Sequence, residues 1–210
     1  VIEMSSFLTD KRFPELAELD AYWTALKGTR KMPARSEINP RGIDGALSHT
    51  FILERIAPGT ARIRLAGQRL KDLIGMELRA MPLTALISLS DRARMEDLID
   101  QVCTSPGIGN ITLHAEHGAG RPSIEARMKL WPLSDAQGRP KRILGGLSFR
   151  GVIGQAPRRF MVVTSSLRPI GGLGAPESSE FAEPATPFIA APRSDQGSGR
   201  VPYLRLVKAQ

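Results

Sequence analysis

A chain of 210 residues with 41% hydrophobic and 24% charged residues has the means to build one ordinary soluble domain plus extensions. The net charge of +8 permits weak attraction to nucleic acid, anionic membrane or acidic proteins. It is spread along the chain, however, and aromatics at 5% argue against a base-stacking nucleic-acid surface.

The lone Cys103 excludes an intramolecular disulfide and any multi-cysteine metal site, and it fits a reducing compartment. The first residues lack a signal-peptide pattern and no apolar run is long enough to span a bilayer. The expected location is the cytoplasm, without membrane insertion.

Residues 1–12 read as an N-terminal extension, and the spacing predicts a helix over 13–27. Leu16, Leu19, Trp23 and Leu26 recur at intervals of three and four, which puts them on one stripe. Asp10 offers a cap, Pro14 fits the first turn, and Glu15, Glu18 and Asp20 suit the positive end of the helix dipole. Lys27 and Gly28 supply the stop. Asn39-Pro40 repeats the start signal, with Ile43, Ala46 and Leu47 giving a short apolar face before His49.

From Thr50 the texture turns to strands. Phe51-Ile52-Leu53 and Ile56 lead to a turn at Ala57-Pro58-Gly59-Thr60, and Arg62-Ile63-Arg64-Leu65 then alternates with Ile63 and Leu65 inward. Leu70, Leu73 and Ile74 suggest a short helix stopped by Gly75, and Leu83, Leu86 and Ile87 another after Pro82. Ser90 offers a cap for a firmer helix with Met95, Leu98, Ile99 and Val102 on one face. Three strands follow, at Asn110–His117, Ile124–Trp131 and Arg142–Phe149. Layer packing of this order gives an α+β fold, a five-stranded antiparallel sheet with short helices on one face and an N-terminal flanking helix.

After Gly151 the periodicity fades into Pro, Gly and Ser, so residues 151–210 read as a mostly disordered tail. Segment 203–208 alternates again and suits a short docking peptide as well as an unstructured end.

Strand-strand-helices-strand-strand-strand is the order of a PAS domain, and the body over 13–150 resembles the bacterial PAS_5 family. The residues that carry the likeness are Tyr22-Trp23 with Leu26-Lys27-Gly28, Met32-Pro33-Ala34-Arg35 and Ile38-Asn39-Pro40. Further on, Arg62–Gly67, Leu130-Trp131-Pro132-Leu133 and Ile143-Leu144-Gly145-Gly146 continue it. Asn39 stands where the family pattern usually has Asp, and either residue caps a helix. The resemblance implies a cytosolic sensory or protein-interaction module without established catalysis. It transfers no ligand, so the cofactor stays unknown.

On that resemblance a pocket is expected between the inner sheet face and the short helices. Its candidate lining is Ile63, Leu65, Leu73, Leu86, Leu113, Met128 and Leu144, with Arg64 and His114 as polar groups. The same positions also describe a plain core. Leu16, Leu19, Trp23 and Leu26, with the basic Arg30, Lys31 and Arg35, are the candidate surface for a partner or a homodimer.

Sites of other kinds have simpler explanations. His114 and His117 fall on opposite faces of their strand, and His49 sits at a strand start, away from the helix that carries axial haem ligands in some PAS proteins. Cys103 lacks the polar Asn-Cys-Arg-Phe-Leu context of the flavin-attaching cysteine in light-sensing relatives. Asp91, Glu96, Asp97 and Asp100 among Arg92 and Arg94 read as a solvated helix face. No catalytic or metal site is expected.

Two functional readings follow. One is a sensory module that binds a small molecule or a signalling protein, such as a histidine kinase, and relays the event by protein-protein contact. The other is a ligand-free adaptor for a kinase or other regulator. A nucleic-acid-binding regulator stands behind both.

Overall fold

The computed structural model describes residues 12–170. Two helical layers cover a six-stranded antiparallel sheet with strand order β2-β1-β5-β4-β3-β6. The strands are β1 (Thr50–Ala57), β2 (Thr60–Ala66), β3 (Gly107–Ala115), β4 (Glu125–Leu133), β5 (Arg142–Arg150) and β6 (Phe160–Pro169). The α-helices are α1 (Pro14–Lys27), α2 (Gln68–Ile74) and α3 (Arg92–Thr104), joined by 3-10 turns that include Pro40–His49 and Leu83–Leu86. None of the described helices is long and apolar enough to cross a membrane.

Strand alternation sorts the apolar residues into two cores. The inner face carries Ile63, Ile111, Leu113, Met128, Leu130 and Leu147, packed under α2 and α3. The outer face carries Ile52, Ile108, Trp131, Leu133 and Leu144, covered by α1 and by the 3-10 segment Pro40–His49. Both faces of the central strands are therefore dry, and β5 reads as a buried run without visible alternation.

The start and stop signals are realised unevenly. Pro14 opens α1, and Gly28 at φ 54 closes it. Phe13 occupies the position before Pro14 and makes no side-chain cap; Asp10, the expected cap, lies outside the described residues. Asn39 does cap, accepting from the Arg41 backbone N–H at 3.0 Å. Ser90 does not cap α3, because the 3-10 turn Leu89–Asp91 intervenes. There the Ser88 hydroxyl donates to Asp91 at 2.9 Å, and the Asp91 carboxylate also accepts from the Val162 backbone N–H at 3.1 Å.

The sixth strand corrects the expectation that order ends at Gly151. β6 pairs antiparallel with β3 and buries Phe160 and Val162 on the inner core. Its sequence hides the pattern, because the outward Met161 and Val163 are also apolar and a register shift interrupts the pairing at Thr112/Leu113. Arg158 anchors the connection into β6: fully buried, its guanidinium donates to the carbonyls of Ile153, Glu116 (2.9 Å) and Pro122 (2.6 Å). The expected docking segment 203–208 lies outside the described residues.

Gly145 and Gly146, adjacent in the central strand β5, make room for the Phe51 ring of β1 on one face and for α1 on the other. A Cβ at Gly145 would run into the Phe51 ring on the inner side. A Cβ at Gly146 would lie 2.6 Å from Leu19 Cδ1 and 2.8 Å from Leu16 Cδ2 on the outer side. The leucine tips can turn aside, whereas the Phe51 ring is fixed in the core. Gly145→Ala is accordingly expected to cost about 1–3 kcal/mol in urea unfolding, more than Gly146→Ala, with partial recovery on adding Phe51→Leu. An unchanged midpoint for Gly145→Ala contradicts this packing.

Candidate functional site

The residues expected to line an inner pocket separate into four places. Ile63, Leu73, Leu86, Leu113 and Met128 do come together, in one continuous inner core where each is fully buried by side chains. Leu144 faces the opposite side, under α1 with Trp23 and Trp131. Leu65 and Arg64 point outward, because Ile52 pairs with Leu65 and Leu53 with Ile63, which leaves Arg64 as an unopposed bulge residue. One inserted residue flips everything beyond it to the other face, and Leu65 is 56% exposed as a result. His114 lies on the outer face, bonded to Ser123 Oγ at 2.9 Å.

The stripe expected to meet a partner is covered by the chain's own sheet. Leu16, Leu19 and Trp23 are buried against Ile52, Trp131 and Leu144, which removes the unfilled stripe that motivated a homodimer through Trp23. Leu26 is half-buried at the helix end. Polar contacts fix the helix in place. Trp23 Nε1 donates to the Pro132 carbonyl at 3.1 Å, and Trp131 Nε1 donates to Asp20 at 2.7 Å. At the other end Glu15 accepts from Ser148 Oγ at 2.7 Å and from Arg150 at 3.1 Å.

The connection after α1 is a docked strap. Ser134 donates from its backbone to Pro33 at 3.0 Å, and Arg35 returns a backbone bond to Ser134 at 2.9 Å. Asn39 N–H donates to Tyr22 Oη at 2.7 Å. The basic cluster is thereby dispersed. Arg30 is held by Glu37 in two bonds of 2.7 Å, Lys31 faces solvent, and Arg35 turns toward a surface cleft.

That cleft, of about 590 Å³, opens on the outer face between the 3-10 segment Pro40–His49 and the ends of β1 and β2. Ile38, Pro40, Ile43, Leu47, Ile52 and Leu65 give it an apolar lining. A second hollow of about 480 Å³ continues from it, sharing Arg35, Ile52 and Leu65 and adding Arg64, Arg79, Arg142 and Glu54. Of these, Leu65, Arg35 and Arg64 are candidates on sequence alone. In the sequence Leu47 carries only a helix-face signal, and Arg79, Arg142 and Glu54 carry no local signal, since only the fold assembles them.

The remaining reactive groups have structural duties. Cys103 is buried in the inner core, and burial pushes its thiol up to about 11, so no thiolate is present at neutral pH. His49 Nδ1 meets the Leu147 carbonyl at 3.1 Å, beneath the start of α1. Asp100 holds Arg55 at 2.7 Å and the Gly59 backbone N–H at 2.6 Å, tying α3 to the β1–β2 turn.

A family model described as a PAS domain matches residues 11–148. No curated protein matches the chain. Among solved structures, the chain is similar to an RNA-binding Light-Oxygen-Voltage receptor, with TM-score 0.38 and 16% identity over 55% of this chain and 35% of that one. It is also similar to the light-state structure of the blue-light photoreceptor Aureochrome1 LOV, with TM-score 0.36 and 12% identity over 53% of this chain and 88% of that one.

The Glu15 contacts make the docking of α1 sensitive to acid. Burial pushes the carboxyl up, but hydrogen bonds from Ser148 and Arg150 outweigh it and hold the group below its ordinary 4.5. A folded-state value below the unfolded one gives stability that is present above the unfolded value and lost as pH falls through the folded value. Urea midpoints measured across that window are expected to fall with acid less steeply in Glu15→Gln than in the parent. Parallel curves contradict the assignment.

Proposed function

The chain belongs to the PAS_5 family of PAS domains, and we propose that it works as a cytoplasmic sensory module that converts a binding event into contact with a signalling protein, without catalysis. Support comes chiefly from the way α1 is held. An amphipathic helix lies over the centre of the sheet, secured by side-chain bonds at Glu15, Asp20 and Trp23. Such a helix has a packed state and a released state, and a ligand with unequal affinity for the two shifts the balance between them. The output partner in this reading is a protein such as a histidine kinase, or a second copy of the chain. It would meet the exposed side of α1 and the solvent-facing Lys31 rather than the buried stripe.

The close packing of the inner core favours a second reading. Ile63, Leu113 and Met128 are each fully buried among neighbours, which suits an adaptor that uses its surfaces and holds no ligand inside. Native mass spectrometry of the purified full chain, followed by a thermal-shift ligand screen, separates the two. The sensory reading expects a bound small molecule, or a screened compound that raises Tm; saturation at a hundredfold above Kd adds about 2.7 kcal/mol. No adduct and no shift, together with capture of a regulator by the ligand-free chain, gives the adaptor instead.

A further inference from the structure

We propose that the outer-face cleft binds an amphipathic organic anion, its apolar body lying on Leu47 and Leu65 and its carboxylate or phosphate meeting Arg35 and Arg79. This deepens the sensory reading and rests on it.

Two leucines in the lining face solvent, Leu47 at 41% and Leu65 at 56% exposure. The bulge at Arg64 places Leu65 there, beside Ile43 and Ile52. The volume of about 590 Å³ suits a small organic molecule. At the adjoining end four guanidinium groups gather around one carboxylate. Arg64 and Arg142 share Glu54, the latter at 2.8 Å. Among the described residues Arg35 and Arg79 have no side-chain ion pair, so two planar cations remain to take the oxygens of a carboxylate or phosphate. Asp44 also lines the cleft, so the two hollows together set four arginines against the carboxylates of Asp44 and Glu54. This net positive charge meets the apolar lining at Arg35, Ile52 and Leu65, which belong to both hollows. A molecule with an anionic head and an apolar body satisfies both ends; neither a plain anion nor a plain hydrocarbon does.

The position also supplies a route to α1. Ile43 and Ile52 line the cleft and belong to the outer core that holds Trp23. An occupant packed on these two residues changes the packing of the surface on which α1 rests.

Titration calorimetry of the full chain with decanoate, below its micelle-forming concentration, tests the proposal beside decanol, acetate and phosphatidylglycerol vesicles. Decanoate is expected to bind, with decanol and acetate each at least about tenfold weaker, because decanol lacks the charge that the arginines pair and acetate lacks the apolar body. Leu65→Asp and Arg79→Glu, both at exposed side chains, should each weaken decanoate at least about tenfold while leaving the ligand-free Tm unchanged. Lys31→Glu, outside the cleft, should not. The proposal is overturned by absence of decanoate binding, by equal binding of decanol, by unchanged affinity in both cleft variants, or by vesicle binding in place of free decanoate. If the ligand screen finds another compound while decanoate fails, the sensory reading stands without this site.

Discussion

Two tryptophans hold the outer layer to the sheet. Trp23 on α1 donates to the Pro132 carbonyl, and Trp131 on β4 donates to Asp20 of α1, so helix and strand bind each other through reciprocal indole bonds. Each indole also presents a large apolar face to the same core, where removing such a ring costs about 3–5 kcal/mol. The bonds fix direction where apolar contact alone fixes only proximity, because a buried N–H left without an acceptor is expensive. The strap at Pro33–Arg35 joins the same edge through Ser134, immediately after Trp131-Pro132-Leu133. The C-terminal half of α1 is thus positioned and oriented by one short stretch of β4.

Everything further out on this face takes its place from that seam. Gly146 lets the leucines of α1 come down onto β5, and Glu15 ties the helix start to Ser148 and Arg150. The segment Pro40–His49 fills the next space, with Ile43 and Ala46 in the core and Leu47 left at the rim. The cleft is what remains between this segment and the bulged end of β2. Among the described residues the inner core is closely packed, and the apolar cleft opens on the side that also carries α1.

Much of this architecture was legible in the sequence, because its elements announce themselves locally. The stripe Leu16, Leu19, Trp23 specified α1, Asn39-Pro40 specified the next start, and the turn at Pro58-Gly59 specified the hairpin. The ordered family motifs turn out to be contact points: Tyr22-Trp23 meets Asn39 and Pro132, Gly145 makes room for the Phe51 ring of β1, and Gly146 sits where α1 touches β5. What stayed hidden depends on register or on distance along the chain. The bulge at Arg64 leaves no mark in an alternating run, yet it moves Leu65 to the opposite face. The stripe on α1 looked like an interface because its cover, Trp131 and Leu144, lies more than a hundred residues away. β6 escaped notice because its outward residues are as apolar as its inward ones. The cleft joins residues from Arg35 to Arg142, a collection that periodicity cannot assemble.

Backbone hydrogen exchange over residues 14–27, followed by mass spectrometry at several protein concentrations, tests the seam most directly. If α1 is docked within each chain, its amides are protected far above those of a free helix, the protection is the same at every concentration, and Trp23→Ala removes it. Rapid exchange in dilute protein, with protection appearing only as concentration rises, would mean that the stripe is buried between chains and would contradict the account.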